Sequence, residues 1–443
     1  MLSSLPSGWF SGDAAALVRQ GLAYQQQLVG RPRPILLLER QPEAWLAGFL
    51  AAVQAGWPLF LGNPAWGARE GRQAIALSQP ALIWGELPAA WGRIGTPEPG
   101  PPPPADPIIA IPTGGSSGQV RFATHTWATL TAAAQGFQAR FGPEPIAVLN
   151  VLPLYHVSGL MPVVRSLISG GCYESFPYAE LKAGRRPRLD PARSVLSLVP
   201  TQLQDLLALD PQGLASWRRL LVGGGPIWPT LLAAARRADL SLVLSYGMTE
   251  TAALVAALEP AEFRQGRADC GRALPHVELQ ILDAAGQPLP AGAVGAIALR
   301  SPALFQGYYP ELRPSEPWWP TADAGYLDAD GHLTVLGRQQ EVIITGGEKV
   351  FPGEVEAAIR GTGMVADVGV IGWPDERWGQ RVVALYVPAE LPATPAALTA
   401  ALRSQLAPYK QPKHWCAVPA LPRNAQGKLN RSRVTTMVQQ ALG

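Results

Sequence analysis

Short runs of aliphatic and β-branched residues recur between longer Ala- and Leu-rich helical patterns, at residues 35–38, 108–111, 146–152, 195–199, 220–222 and 242–244. Each run is too short and too apolar for a half-exposed strand, so it belongs inside a sheet covered on both faces. Strands separated by helical stretches pair in parallel through crossovers, which makes the chain an α/β protein with largely parallel sheets. At 443 residues it also exceeds what one hydrophobic core holds, about 250–300 residues, and calls for more than one domain.

The pattern changes after Cys270. Shorter strands at 277–282, 295–299 and 333–336 are separated by Gly and Pro turns, as in a small antiparallel subdomain. From Gln340 the chain begins again as a compact α+β unit: a helix from Gly353, strands at 368–371 and 381–386, a helix from Pro395 and a strand near Trp415. The boundary falls at 338–341, giving an N-terminal domain over 1–338, with mixed or parallel sheets flanked by helices, and a small C-terminal domain over 339–443. The Pro-rich segment 96–107 reads as an exposed connection. Residues 44–62 approach membrane-span length, but Gln54, Gly56 and Pro58 interrupt them, and they read as a buried helix followed by a strand.

A net charge of +3, with Lys and Arg scattered, argues against nucleic acid as a partner while leaving small anionic ligands open. Cys172, Cys270 and Cys416 are far apart and form no CxxC pair, so neither a disulfide framework nor a zinc site is indicated. With no basic and apolar leader at the start, a reducing cytoplasm is the expected compartment.

Five segments carry chemistry. Thr113, Gly114, Gly115, Ser116, Ser117 and Gly118 follow a strand, and their backbone N–H groups and hydroxyls suit a loop around a polyphosphate, although a flexible turn has the same composition. The second, Ser245 to Thr251, also leaves a strand end, where α/β proteins place ligands. There Glu250 suits Mg2+ and Tyr246 offers a face to a base, against the plainer alternative of a helix start capped by Thr249. Asp323, in Thr321-Ala322-Asp323, suits the two hydroxyls of a ribose. The last two are Ile343 to Glu356, with Gly346 and Gly347, and Pro422 to Arg431, with Lys428.

In this order and approximate spacing the five segments resemble the acyl-adenylate-forming superfamily of acyl-CoA synthetases, luciferases and adenylation domains, over nearly the whole chain after about residue 105. The resemblance implies ATP, Mg2+ and coenzyme A as ligands. Residues 113–118 with Arg121 would form the phosphate loop. Gly224, Gly225, Pro226, Tyr246 and Gly247 would line the adenine side, and Thr249 and Glu250 would contact AMP and Mg2+. Asp323 and Arg338 would hold the ribose, Lys428 would serve adenylation, and Gly346 and Gly347 would line the pantetheine path once a mobile C-terminal domain has rotated. This sequence departs from the family in three places. Val120-Arg121-Phe122 replaces the usual Pro-Lys-Gly, Ala322 replaces a glycine, and Gln340 stands at the hinge usually held by Asp or Lys.

Within the superfamily, 152–160 (Leu-Pro-Leu-Tyr-His-Val-Ser-Gly-Leu), Arg165 and 122–127 are similar to the 2-succinylbenzoate:CoA ligases, especially the cyanobacterial and plastid type. His156, Arg165, Thr201 and Gln202 are the expected substrate contacts, Arg165 answering the ring carboxylate. A ligase for another fatty or aryl acid, a carrier-loading enzyme and a non-catalytic nucleotide-binding relative remain as alternatives, and oligomeric state is not legible.

Overall fold

The computed structural model describes residues 2, 5–6, 8–91, 107–114, 119–312, 318–389, 393–423 and 429–442. Two seven-stranded sheets dominate. In the first the order is Glu311–Leu312, Gly307–Tyr309, Val120–His125, Ile109–Gly114, Leu59–Leu61, Ile35–Leu37, Leu82–Trp84. The second runs Arg272–Ala273, Ala253–Leu258, Leu242–Met248, Arg219–Val222, Ser194–Leu198, Ala147–Asn150, Tyr173–Ser175.

The apolar runs sort by the two-residue period of a strand. Val148, Val195, Leu221 and Val243 face one core, while Leu149, Leu196, Leu220 and Leu242 face another on the opposite side of the second sheet. The helices Trp127–Phe141 and Val157–Ser169 pack between the sheets: Leu130, Ala133, Leu160 and Val164 join the core that holds Ile35, Leu59 and Ile109, and Phe137 joins the core of Val195 and Val243. Both helices begin beside the strand ends that carry the candidate motifs. Residues 44–62 resolve into the helix Pro42–Ala55 and the strand Leu59–Leu61, and among the described residues no helix is long and apolar enough to cross a membrane.

The third sheet is antiparallel, Glu278–Leu282, Gly295–Arg300, Trp319–Leu327, Leu333–Arg338. A short turn, Gln339–Glu341, then leads into the fourth, whose central strand Gly379–Pro388 turns Val382, Ala384 and Tyr386 to the helices Pro352–Gly361 and Pro395–Leu402, and Val383 and Leu385 to the C-terminal helix Arg431–Leu442. One element departs from the expected division. Gly307–Tyr309 leaves the antiparallel region and pairs with Val120–His125, joining the first sheet, which the antiparallel pairing of Ile109–Gly114 with Val120–His125 already makes mixed.

Candidate active site

The strand Leu242–Met248 ends in a tight turn, Thr249–Thr251, capped by Thr251: its Oγ1 accepts from Met248 N at 3.0 Å. Thr249 is therefore not the cap, contrary to the plainer sequence alternative. Its carbonyl is held at 2.8 Å by Nε2 of His125, a fully buried residue whose pKa burial pushes down to about 4. The ring is thus neutral, and its Nε2–H donates.

Two clusters form around this turn. The Tyr246 hydroxyl donates to Asp323 Oδ2 at 2.7 Å, and Arg338 Nε lies 3.0 Å from Asp323 Oδ1. Asp323 and Arg338 face each other across paired strands, while Ala322 between buried Thr321 and Asp323 is exposed, so its methyl group displaces nothing. A carboxylate accepts about four hydrogen bonds, which leaves Asp323 capacity for ribose hydroxyls. In the second cluster the Tyr308 hydroxyl donates to Glu250 Oε1, and the Arg121 guanidinium stacks 3.6 Å from the Tyr308 ring centroid. Phe305 N donates to the Glu250 carbonyl at 2.8 Å, fixing the turn from the other side. Burial, and then the negative charge of Glu250, raise the Tyr308 pKa and keep its phenol protonated. Arg121 and Arg338 oppose that rise, so both cations lie close enough to be felt at Tyr308. Mg2+ entering with a triphosphate asks the protein for one or two hard carboxylates, and Glu250 fits that demand.

Other candidates lie around these clusters. Gly224, at φ +81°, Gly225 and Pro226 form an exposed loop after Arg219–Val222. A Cβ on Gly247 would meet the Ala253 carbonyl oxygen at 2.0 Å, so glycine there lets the hairpin close. Thr113 and Gly114 pair with Arg121 and Val120 in adjoining antiparallel strands. Gly115, Ser116, Ser117, Gly118 and Lys428 lie outside the described residues. The chain on either side of Lys428 is tied down: Arg423 Nε and Nη2 lie 2.7 Å from the two Asp367 oxygens, and Arg431 Nε lies 2.7 Å from Glu341 Oε2. Gly346 and Gly347 form the turn between Ile343–Thr345 and Glu348–Val350, at φ +59° and +84°.

The expected substrate residues separate. His156 precedes the first turn of Val157–Ser169, its ring 4.5 Å from that of Tyr155. Arg165 is 4% exposed on the same helix, its guanidinium 4.3 Å from the Phe137 ring centroid, and among the described residues it has no hydrogen-bonding partner. Burial pushes its pKa down to about 9, which expresses the penalty of a buried cation without an anion. His276 lies beside it, and burial together with the Arg165 charge pushes that imidazole down to about 4. Gln202 Oε1 accepts from Val199 N at 3.1 Å, which caps the helix Pro200–Leu209, while Thr201 is exposed on its first turn. The wall role given to Gln202 thus competes with a capping role. His125, Tyr308 and His276 escaped sequence reasoning, because each acquires its contacts across long chain separations.

The family model described as "AMP-binding enzyme" matches residues 14–309, and that described as "AMP-binding enzyme C-terminal domain" matches 354–428. A 2-succinylbenzoate–CoA ligase of Enterococcus faecalis is 34% identical over 338 residues, covering 74% of this chain and 69% of the relative. An indoleacetate–CoA ligase of Aromatoleum aromaticum is 31% identical over 381 residues, covering 82% and 74%. Among solved structures, the o-succinylbenzoate CoA synthetase of Bacillus subtilis in complex with its acyl-adenylate intermediate superposes with a TM-score of 0.83 at 25% identity, covering 96% of this chain and 94% of the other.

Proposed function

This chain belongs to the AMP-binding enzyme family, and from that premise we propose that it is an ATP-dependent acid:CoA ligase that converts 2-succinylbenzoate to its CoA thioester through an acyl-adenylate. The observation that carries the reading is the pair of clusters gathered around the end of the strand Leu242–Met248, Tyr246-Asp323-Arg338 for the nucleoside and Glu250-Tyr308-Arg121 for the phosphates.

In the first step the substrate carboxylate attacks the α-phosphorus of ATP and the bond to pyrophosphate breaks. Negative charge on the phosphoryl oxygens and leaving group is met by Arg121 and Lys428, and Glu250 would hold Mg2+, which would supply further neutralisation. Thr249, whose backbone carbonyl His125 holds, would offer its hydroxyl to the same phosphate. In the second step the CoA thiol attacks the acyl carbon and AMP departs. Gly346 and Gly347 line the thiol's approach after the C-terminal unit, which we assign to 339–443, has turned.

Arg165 pairs with the ring carboxylate while the succinyl carboxylate reacts, and His156, at the start of the same helix, is a further substrate contact. Such an enzyme takes its place in the cytoplasm, in menaquinone or phylloquinone synthesis. The likeness to an indoleacetate ligase favours, as a second reading, an aryl monoacid, but such a substrate would leave Arg165 unpaired in its core. The test is direct: purified protein with ATP, Mg2+ and CoA is offered 2-succinylbenzoate, indoleacetate and a fatty acid, with pyrophosphate release and acyl-CoA mass as readouts. A product from 2-succinylbenzoate in large excess is expected. Turnover confined to the monoacids would overturn the substrate, and no adenylate from any acid would overturn the activity.

A further inference from the structure

We propose that Tyr308 is a positioning residue that keeps the Arg121 cation and the Glu250 anion from pairing with each other, so that both stay available to a metal-bound triphosphate. The proposal rests on the adenylating role given above and adds to it a residue that no sequence motif marked.

Arg121 and Glu250 carry opposite charges, and both are close enough to act on the Tyr308 phenol. Arg121 lies on the strand Val120–His125, and Glu250 lies on the turn that His125, from the same strand, holds through Thr249. Opposite charges so placed would be drawn into an ion pair. Instead the phenol engages each separately: its O–H goes to Glu250, and its ring face lies under Arg121. Among the described residues neither charge joins an ion pair.

The ring is itself held on its two sides. Tyr308 pairs with Ala123 across the sheet edge, and Phe305, whose ring centroid is 5.0 Å from that of Tyr308, donates its N–H to the Glu250 carbonyl. A ring satisfies a guanidinium without consuming its N–H donors, since the contact is with its face. A single phenol O–H leaves a carboxylate most of its accepting capacity. Both charges are therefore oriented but not neutralised, whereas a direct pair would occupy the donors and acceptors that phosphate and Mg2+ require.

The experiment is a double-substitution cycle on Tyr308→Leu and Arg121→Gln, with Tyr308→Phe as the conservative variant. It is read by Mn2+–ATP binding in electron paramagnetic resonance and by ATP–pyrophosphate exchange. Tyr308→Leu frees the two charges to pair and is expected to weaken Mn2+–ATP binding about 10–100-fold, the range for loss of an outer-shell partner. In the Arg121→Gln background, where no pair can form, the same substitution is expected to do much less harm. Tyr308→Phe keeps the ring face under Arg121 and should fall near wild type, with a small loss that Arg121→Gln does not relieve. A merely structural Tyr308 gives a Leu defect of equal size in both backgrounds, and that outcome overturns the proposal. So does unchanged Mn2+–ATP binding in Tyr308→Leu. Failure of wild type to exchange pyrophosphate with any acid would instead strike the adenylating role itself.

Discussion

Tyr246 and Asp323, 77 positions apart in the chain, are joined by a 2.7 Å hydrogen bond between the second sheet and the third. The same carboxylate receives Arg338, so one acidic side chain ties the strand behind the nucleotide to the strand that leads out of the N-terminal unit. Asp323→Ala removes an acceptor from Tyr246, from Arg338 and from the ribose at once. Nucleotide binding should weaken by about 1.5–3 kcal/mol, the range for a hydrogen bond to a charged group. Tyr246→Phe, which keeps the Asp323–Arg338 pair, should lose less. Titration calorimetry with ATP checks both, and an unchanged affinity in Asp323→Ala rules out the ribose role.

His125 gives a pH signature. Its pKa falls from 6.5 in the unfolded chain to about 4 in the fold, so between those values the unfolded chain binds the extra proton. The stability it confers is complete above pH 6.5 and is lost as the pH falls toward about 4, a loss of about 3 kcal/mol from this group. His125→Gln keeps a donor for the Thr249 carbonyl and should flatten that part of the profile in urea unfolding between pH 4 and pH 7. His276, also pushed to about 4, titrates in both proteins, so their difference isolates His125. Parallel profiles would show that His125 is not the group concerned.

Lys428 and Gly346 should separate the two half-reactions. Lys428→Ala is expected to abolish adenylation while conversion of supplied acyl-adenylate to acyl-CoA is largely spared. Equal loss in both steps contradicts the assignment.

Gly346→Leu should do the reverse. A Cβ there meets Cε3 of Trp378 at 2.8 Å, and the φ of +59° disfavours any side chain by about 1–2 kcal/mol. The hairpin and Trp378 must both shift, so thioester formation should fall while adenylation persists, with a change in tryptophan fluorescence. Normal CoA transfer would remove Gly346 from the thiol's path.

Arg165→Ala should raise KM for 2-succinylbenzoate strongly, leave that for ATP nearly unchanged, and reduce discrimination against the analogue without the ring carboxylate. Wild-type discrimination in the variant would detach Arg165 from the carboxylate.

The central parallel strands of the two large sheets were readable because a buried parallel strand leaves a continuous apolar run, and Val195, Leu196 and Leu198 sort correctly by alternation alone. In the fourth sheet Val365–Asp375, Gly379–Pro388 and His414–Ala417 were visible, whereas Ile343–Thr345 and Glu348–Val350 were not. What could not be read is where short strands go. Gly307–Tyr309 has three residues, no alternation to speak of, and a partner nearly two hundred positions away, so its sequence gave no hint that Tyr308 would reach Glu250. His125 was likewise visible as a residue but not as the support of Thr249, a contact spanning 124 positions. Gln202 presents the opposite case, a capping contact that competes with the wall role expected of it. Its signal was local, Pro200 at the start of a helix with Gln at the third position, and reads directly as a cap.

The turn Gln339–Glu341 has a mechanical consequence. Gln339 Nε2 bonds the carbonyl oxygens of Thr321 and Asp323 at 3.3 and 3.2 Å, and so belongs to the third sheet. Glu341, two residues on, is paired with Arg431 at the head of the C-terminal helix, and so belongs to the unit beyond. Gln340, exposed between them, makes no side-chain bond to either among the described residues. The turning proposed for the two-step reaction would therefore fall on the backbone torsions of this residue, as on a swivel pin between two bolted plates, and Asp323 would keep its partners at every angle.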